Sequence, residues 1–227
     1  MANNFTLIVP VANNCDEYEN SIPPVFKLSK EGISFCLKSI LNLNLDLFDK
    51  IYFTILKSLD EKYSLSNLLT LQFNRIGLRN AQIIILEEST NSQPETVYET
   101  ICRAKINGAI FIKDADCGFS AEIIRQNSVA IFPLEQLKWV NPQNKSYVTV
   151  DDMFYVTNII EKKIISHFFS AGGYCFENAK EFCDYFKKYK KTHNIYISHL
   201  IYAMLLDKKI FRPIIVKDYI DYENKNT

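Results

Sequence analysis

Residues 109–119 read AIFIKDADCGF, an apolar run that ends at Lys113 and is followed by Asp114 and Asp116. Two carboxylates this close repel each other, and each is more stable in water than beside a buried strand. Either a polar loop or a divalent cation, held where the strand ends, would account for the pair. In an open α/β sheet, ligands bind beyond the carboxyl ends of the strands, so this position favours the cation.

Three other segments share the short, continuously apolar character of residues 109–114. They are FTLIVPV at 5–11, KIYFTILK at 50–57 and QIIILEE at 82–88. Such runs are typical of parallel strands that are buried on both faces. Segments with apolar residues at helical intervals lie between them, at 33–43, 59–73 and 95–105. The alternation predicts a Rossmann-like α/β fold with a mainly parallel sheet, flanking helices and right-handed crossovers.

The second half of the chain has a different rhythm. Strand-like segments at 128–134, 145–150, 154–163 and 164–176 follow one another without a long helix, which predicts antiparallel additions to the sheet. Helices are expected at 177–189 and 195–207, and a last strand at 211–221. The sequence contains no internal repeat and no linker rich in Pro, Gly or Ser, so a single domain over residues 1–227 is expected.

The composition argues against several partners. The chain has 227 residues, and its 26 lysines and arginines balance 26 aspartates and glutamates. A neutral chain has no global field that attracts nucleic acid or anionic lipid, so neither is expected to bind. No apolar stretch approaches the ~20 residues that cross a bilayer, so no membrane span is expected. The amino terminus lacks the features of a secretion signal, which favours a cytoplasmic protein.

The cysteines and histidines do not suggest a metal site. Six cysteines are scattered without paired spacings, a pattern that indicates free thiols in a reducing cytosol. His167, His193 and His199 are not paired with cysteines at ligand spacing, so zinc is not expected. The aromatic content of 13% allows an apolar homodimer interface, but no stripe of residues marks one.

Seven segments in a fixed order carry a resemblance to a known family. They are IVPVANN (8–14), DKIYFTILK (49–57), STNSQPETV (89–97), IFIKDADCGF (110–119), NIIEKK (158–163), SAGGYCF (170–176) and YIDY (219–222). Over nearly the whole chain, their order and spacing resemble the nucleotidyltransferases with a GT-A-like fold. Those enzymes join a nucleoside triphosphate to a phosphorylated sugar or alcohol and release pyrophosphate. The Asp-Ala-Asp triplet is similar to that of the phosphocholine cytidylyltransferase branch and related capsule-cluster proteins.

The resemblance implies a role for particular residues. Asp114, Asp116 and Asp221 are expected to hold Mg²⁺, which neutralises charge on the phosphates and aligns the reactants. The catalytic residues are then expected to be Asp114, Asp116 and Lys113. The expected nucleotide-binding residues are Val11, Ala12, Asn13, Asn14, Gln93 and Thr96, and the expected acceptor-binding residues are Glu161, Lys162, Gly172 and Gly173. Three pairs have a purely structural alternative: a surface ion pair for Glu161 and Lys162, a strand bulge for Gly172 and Gly173, and loop and helix-cap positions for Gln93 and Thr96.

The first loop departs from the family pattern. The family has a glycine-rich turn with a basic residue here, followed by a Pro-Lys pair whose lysine touches the α-phosphate. Residues 12–26 (ANNCDEYENSIPPVF) contain no glycine, lysine or arginine, and Pro23-Pro24-Val25 stands where Pro-Lys is expected. Asp16, Glu17 and Glu19 repel a triphosphate, and side chains hinder the close approach of backbone amides. Lys27, Lys38 and Lys113 are candidates to replace the missing lysine.

Three functions remain open on this sequence. The first is a nucleotidyltransferase with an altered loop, which acts on a nucleoside triphosphate and a small phosphorylated acceptor in capsule or surface-glycan precursor synthesis. The second is a glycosyltransferase-type protein whose Asp-x-Asp motif holds a metal and a nucleotide-sugar. The third is a non-catalytic homologue that binds a nucleotide or a partner protein.

Overall fold

The computed structural model of the protein describes residues 4–12, 21–137, 142–191 and 194–222. Within these ranges the strands are β1 (Phe5–Pro10), β2 (Lys50–Leu56), β3 (Ala81–Leu86), β4 (Ala109–Lys113), β5 (Cys117–Ser120), β6 (Ser128–Pro133), β7 (Ser146–Val150), β8 (Val156–Glu161), β9 (Phe168–Phe176), β10 (Arg212–Ile215) and β11 (Lys217–Asp221). The α-helices are α1 (Phe35–Lys38), α2 (Lys57–Tyr63), α3 (Leu65–Ile76), α4 (Gln93–Ala104), α5 (Ala179–Tyr189) and α6 (Ile197–Leu206).

The main sheet has the strand order β10-β6-β9-β4-β1-β2-β3, and β7 and β8 extend it beside β9. The strands β3, β2, β1 and β4 run parallel to their neighbours, as expected for βαβ units. The long strand β9 is antiparallel to both β4 and β6, and β7 is antiparallel to β8 and β9. The predicted Rossmann-like α/β fold, with antiparallel strands in the C-terminal half, is therefore confirmed.

Two hydrophobic cores cover the two faces of the main sheet. Alternate residues of a strand point to opposite faces, so Leu7 of β1 and Phe111 of β4 pack in one core with residues of α1 and α3. Ile8 and Ile110 pack in the other core with residues of α4, α5 and α6. Every residue of β1 and β4 is buried. This two-sided burial explains why both strands have continuously apolar sequences.

The lengths predicted for two helices are wrong. The helix expected at 33–43 is reduced to the single turn α1. The helix expected at 59–73 is two helices, α2 and α3, which meet at Ser64 in a left-handed backbone conformation with φ 51°. The Asp60 carboxylate accepts hydrogen bonds from the Ser66 amide (2.7 Å) and the Ser66 hydroxyl (2.9 Å). These bonds satisfy the first turn of α3 and stabilise the break, which the apolar periodicity does not reveal.

The predicted last strand at 211–221 is also two strands. β10 joins the edge of the main sheet beside β6, whereas β11 forms a separate two-stranded antiparallel sheet with β5, which the sequence pattern did not predict. β5 has only four residues, too few for a recognisable alternation, and its partner lies about a hundred residues away. This small sheet brings the last described residues next to the turn that follows β4.

No helix in the described ranges is long and apolar enough to cross a membrane. Cys36, Cys102, Cys117, Cys175 and Cys183 are free thiols, and Cys15 lies outside the described residues.

Candidate active site

A polar cleft of about 340 Å³ opens at the carboxyl end of β4. Asp114 and Asp116 line it from the turn after β4, and Gln93 from the first position of α4. Its other walls come from the C-terminal half: Lys145 and Ser146 at the start of β7, Glu161 and Lys162 at the end of β8, and Tyr196 and Ser198 at the start of α6. The predicted position of the Asp-Ala-Asp turn, at the carboxyl end of a central strand, is where the cleft forms.

The backbone of β9 and the start of α4 position Asp114. Its amide donates a 2.8 Å hydrogen bond to the Gly172 carbonyl oxygen. The Gln93 side-chain amide Nε2 donates a 2.6 Å hydrogen bond to Asp114 Oδ1. Gln93 was expected at the nucleotide base; here its amide contacts the Asp-Ala-Asp turn.

Burial raises the pKa of Asp114 to about 6, and the charge of Asp116 adds to this effect. The charges of Lys113 and Lys145 and the hydrogen bond from Gln93 act in the opposite direction. The cleft therefore stabilises the neutral form of the Asp114 carboxyl relative to the ionised form. A cation placed between Asp114 and Asp116 would offset the electrostatic repulsion between their two negative charges.

The predicted metal ligands are only partly brought together. Asp114 and Asp116 face the same cleft, but Asp221 is not among the residues that line it. In the described residues, no group of three or more His, Cys, Asp or Glu side chains is placed to hold a metal ion. Mg²⁺ usually takes one or two carboxylates and completes its shell with substrate phosphates and water. The pair of Asp114 and Asp116 fits that requirement. The Asp221 carboxylate instead forms an ion pair with Lys145.

Asp221 pairs with Lys145, a lysine that no motif in the sequence indicates. Asp221 lies opposite Cys117 in the β5–β11 pairing, and the Tyr222 amide donates a 2.8 Å hydrogen bond to the Asp116 carbonyl oxygen. Lys145 Nζ lies 2.9 Å from Asp221 Oδ2, and the two side chains are only 18% and 13% exposed. Burial acts to lower the pKa of Lys145, but the hydrogen bond and charge of Asp221 outweigh it and raise that pKa. Lys145 is therefore a firmly charged ammonium in the cleft wall.

Lys113 is buried and holds the turn together. Its Nζ donates hydrogen bonds to the carbonyl oxygens of Asp114 (2.7 Å) and Cys117 (2.8 Å) and lies 3.2 Å from Cys117 Sγ. The same ammonium lies 4.6 Å from the centroid of the Phe119 ring. Lys113 does not line the cleft. Lys113 therefore stabilises the Asp-Ala-Asp turn from its buried side.

The other lysines considered as replacements also lie away from the cleft. Lys38 pairs with Glu31 at 3.0 Å, and Lys27 is exposed; neither lines the cleft. The acidic residues of the first loop, Asp16, Glu17 and Glu19, fall outside the described residues.

Of the residues expected to bind nucleotide, several are buried. Val11 and Ala12 are 7% and 0% exposed, and the Val11 amide donates a 2.9 Å hydrogen bond to the Thr54 carbonyl oxygen. Thr96 is fully buried, and its hydroxyl lies 2.5 Å from that of Thr90, which in turn donates to the Ala12 carbonyl oxygen at 3.1 Å. These contacts tie the end of β1 to α4. Asn13 and Asn14 lie outside the described residues.

Glu161 and Lys162 line the cleft from the end of β8. Glu161 Oε2 accepts hydrogen bonds from the hydroxyls of Ser198 (2.7 Å) and Ser146. Lys162 Nζ donates a 3.0 Å hydrogen bond to Tyr196 Oη, which raises the pKa of Lys162 and keeps it charged. The surface-ion-pair interpretation does not fit, because each residue bonds to hydroxyls of the cleft and not to the other.

The two glycines of β9 have different environments. Gly172 lines the cleft with φ 78°, and a Cβ atom there would lie 2.6 Å from Asp114 Oδ2. Gly173 does not line the cleft; a Cβ atom there would meet Phe119, Ala130 and Phe111 at 2.8–3.0 Å. Gly172 therefore makes room for the Asp114 carboxylate, and Gly173 makes room for core packing.

The cleft is also lined by residues that no motif in the sequence indicates, among them Lys145, Ser146, Tyr196 and Ser198. Ser198 left a signal in the sequence, because it is a polar residue within the apolar segment that forms α6. The structure buries it to 2% exposure. Lys145 left no such signal, because a lysine beside a strand is ordinarily a solvated residue.

No known family model matches this sequence, and no curated protein matches it either. Solved structures of nucleotidyltransferases share its fold over nearly the whole chain. The nucleoside-diphosphate-sugar pyrophosphorylase from Vibrio cholerae RC9 matches with a TM-score of 0.76 at 15% identity, covering 95% of this chain and 94% of that one. The inositol-1-phosphate CTP transferase from T. maritima matches with a TM-score of 0.72 at 12% identity, covering 97% and 88%.

The CTP:phosphocholine cytidylyltransferase from Streptococcus pneumoniae has a TM-score of 0.68 at 10% identity, over 96% of this chain and 93% of that one. These TM-scores over nearly the whole chain show that the fold is that of the nucleotidyltransferase structures. They do not single out the phosphocholine branch, because the pyrophosphorylase and the inositol-phosphate enzyme have higher TM-scores.

Proposed function

We propose that this protein is a nucleotidyltransferase that joins a nucleoside triphosphate to a sugar- or alcohol-phosphate and releases pyrophosphate. The observation that carries the proposal is the pair of carboxylates, Asp114 and Asp116, at the carboxyl end of β4 in a polar cleft. Solved structures with the same fold are named for this type of reaction. In the reaction, an oxygen of the acceptor phosphate forms a bond to the α-phosphorus, and the bond from that phosphorus to the pyrophosphate oxygen breaks.

Asp114 and Asp116 would hold Mg²⁺ in this proposal. When bound, the ion neutralises phosphate charge and aligns the attacking and leaving oxygens. Gln93 keeps Asp114 oriented through its hydrogen bond, and the buried Lys113 fixes the backbone of the turn. The protein therefore supplies a pre-organised pair of carboxylates, and the substrate phosphates complete the site.

The part of the cleft lined by Ser146, Glu161, Lys162 and Ser198 suits the acceptor. The Glu161 carboxylate and the Ser146 and Ser198 hydroxyls already form a network that a hydroxyl group of a sugar or alcohol could join. The Lys162 ammonium lies in the same part of the cleft and would attract the acceptor phosphate. The biological setting that we propose is the synthesis of capsule or surface-glycan precursors.

Pyrophosphate release tests this function. The purified protein is incubated with Mg²⁺, each of the common nucleoside triphosphates and a panel of sugar- and alcohol-phosphates. We expect release with one triphosphate and one class of acceptor, and its loss in the double variant Asp114→Asn/Asp116→Asn. Glu122→Gln, an exposed acid that does not line the cleft, is the matched control and should keep full activity.

The other two functions predict different results. A glycosyltransferase-type protein would be stabilised against heat by a nucleotide-sugar and would release no pyrophosphate from triphosphates. A non-catalytic homologue would turn over no substrate pair, and the double variant would behave like the wild type. Either result would refute the proposed reaction.

A further inference from the structure

A triphosphate in the cleft requires a positively charged side chain beside it. The family that the sequence resembles has such residues in its first loop, and this chain does not. The first loop lacks the basic residues expected near the triphosphate, and Lys27, Lys38 and Lys113 do not line the cleft. Among the lysines and arginines of the described ranges, Lys145 and Lys162 line it. Lys162 bonds to Tyr196. Lys145 instead pairs with Asp221, which lies opposite Cys117, and the amide of the next residue, Tyr222, donates to the Asp116 carbonyl oxygen. Lys145 is therefore the lysine tied to the Asp-Ala-Asp turn.

We propose that Lys145 is a phosphate-binding residue, whose ammonium is held in place by Asp221 and Tyr219 and donates to a phosphate oxygen of the bound substrate. This inference rests on the proposed function only in placing substrate phosphates in the cleft. It assigns Asp221 the role of positioning a lysine, in place of the metal ligand expected from the resemblance.

The surroundings of Lys145 fit a fixed donor. Its Nζ donates to Asp221 Oδ2 (2.9 Å) and to Tyr219 Oη (3.0 Å), which uses two of the three ammonium hydrogens. Among the described residues these two are its hydrogen-bond acceptors, so one hydrogen remains for a ligand.

Aromatic packing keeps this arrangement rigid. The Tyr219 ring stacks on Phe132 with centroids 5.4 Å apart and meets Phe169 edge to face at 5.3 Å. The Lys145 ammonium lies 5.6 Å from the Tyr219 ring centroid and 5.9 Å from that of Phe169. Because the lysine is held before a ligand arrives, little side-chain entropy is lost on binding.

Phosphate binding without metal tests the proposal, since Asp114 and Asp116 then contribute only repulsion. Calorimetric titrations in EDTA at low ionic strength use two probes: inorganic tripolyphosphate for the triphosphate and inorganic phosphate for the acceptor group. We expect Lys145→Gln to weaken binding of at least one probe by about 10- to 100-fold, the range for one hydrogen bond to a charged group. Weakening of one probe alone identifies which phosphate the lysine contacts. Lys145→Arg, which keeps the charge, should recover most of the affinity.

Asp221→Asn tests whether the negative charge of Asp221, and not only its acceptor oxygen, is needed. Asparagine keeps an oxygen that can accept from Lys145 and removes the negative charge, so phosphate should bind as tightly as in the wild type or more tightly. Lys209→Gln, which breaks the ion pair with Glu181 outside the cleft, is the control and should leave both affinities unchanged. Thermal unfolding of each variant shows that the titrated protein is folded.

The proposal is overturned if folded Lys145→Gln binds both probes like the wild type, or if the wild type binds neither. Should Lys145→Gln fail to fold, Asp221→Ala decides it, because alanine removes the acceptor that holds the lysine: weaker binding supports the proposal, and equal or tighter binding, as expected from the loss of a negative charge alone, overturns it. The proposed function fails separately: binding that depends on Lys145, without any pyrophosphate release, supports the lysine's role and refutes the reaction. Pyrophosphate release that persists unchanged in Lys145→Gln supports the reaction and refutes the role of the lysine.

Discussion

The Asp114 carboxylate lies in the space that a side chain at position 172 would need. A Cβ atom on Gly172 would be 2.6 Å from Asp114 Oδ2 and 2.9 Å from Asp114 Cγ. The same two residues are joined by a 2.8 Å hydrogen bond from the Asp114 amide to the Gly172 carbonyl. The position of the carboxylate therefore depends on glycine at the neighbouring strand.

Gly172→Ala should displace Asp114 and lower both stability and activity. We expect a loss of about 2–4 kcal/mol in the free energy of unfolding, because the new methyl adds a clash to a left-handed backbone conformation. Gly77→Ala is the matched control, since Gly77 has φ 73° and no atom within 4 Å of an added Cβ. It should lose only the smaller backbone contribution, about 1 kcal/mol. Equal losses in denaturant titrations of the two variants would contradict the role assigned to Gly172.

Asp114→Asn should stabilise the metal-free protein at high pH. The pKa of Asp114 is raised from 3.8 to about 6, so the folded state binds more protons than the unfolded state between these values. Stability is therefore lost as the pH rises through this window, and the full penalty acts above pH ~6. Replacing the carboxyl by an amide removes the penalty, which we expect to amount to about 1–3 kcal/mol at pH 8.

Chemical denaturation in EDTA at pH 5 and pH 8 measures this effect. The gain of Asp114→Asn over the wild type should be about half as large at pH 5 as at pH 8. Asp46→Asn, which replaces an exposed acid away from the cleft, should show no such gain. A gain that is larger at pH 5 would show that the sign is wrong.

Lys113→Met should destabilise the fold, because the buried ammonium is the hydrogen-bond donor to two carbonyl oxygens. Methionine fills the space of the lysine stem but leaves both oxygens unpaired. We expect a loss of about 2–4 kcal/mol in the free energy of unfolding, measured by urea titration. Lys50→Met, at an exposed position at the start of β2, should change stability by less than about 0.5 kcal/mol. A fully stable but inactive Lys113→Met would instead favour direct contact with substrate.

Glu161→Gln should weaken recognition of the acceptor and leave recognition of the triphosphate unchanged. The Glu161 carboxylate accepts hydrogen bonds from Ser146 and Ser198, and an amide can keep only part of this network. We expect KM for the acceptor to rise about tenfold, in line with the loss of one charge-assisted hydrogen bond. Steady-state kinetics with each substrate varied in turn provide the measurement. An increase confined to KM for the triphosphate would place the nucleotide in this part of the cleft.

The sequence was sufficient to predict the parallel half of the sheet and the place of the candidate site. β1, β2 and β4 are buried strands, and burial on both faces leaves an uninterrupted apolar run that can be read directly. The carboxyl end of a strand follows from the direction of the chain, so Asp114 and Asp116 could be placed at the mouth of the cleft. The break at Ser64 was missed, since a side-chain cap from Asp60 decided it and the apolar periodicity continued across it.

Tertiary structure alone decided which side chains meet at the candidate site. Lys145 and Asp221 are 76 positions apart. They form an ion pair only because the chain leaves the main sheet after β10, so that β11 pairs with β5. Likewise, Asp114 and Gly172 meet through the register of β4 with β9. Local periodicity records how deeply each residue is buried. It contains no information on strand register, and it is the register that sets distances between side chains remote in the chain.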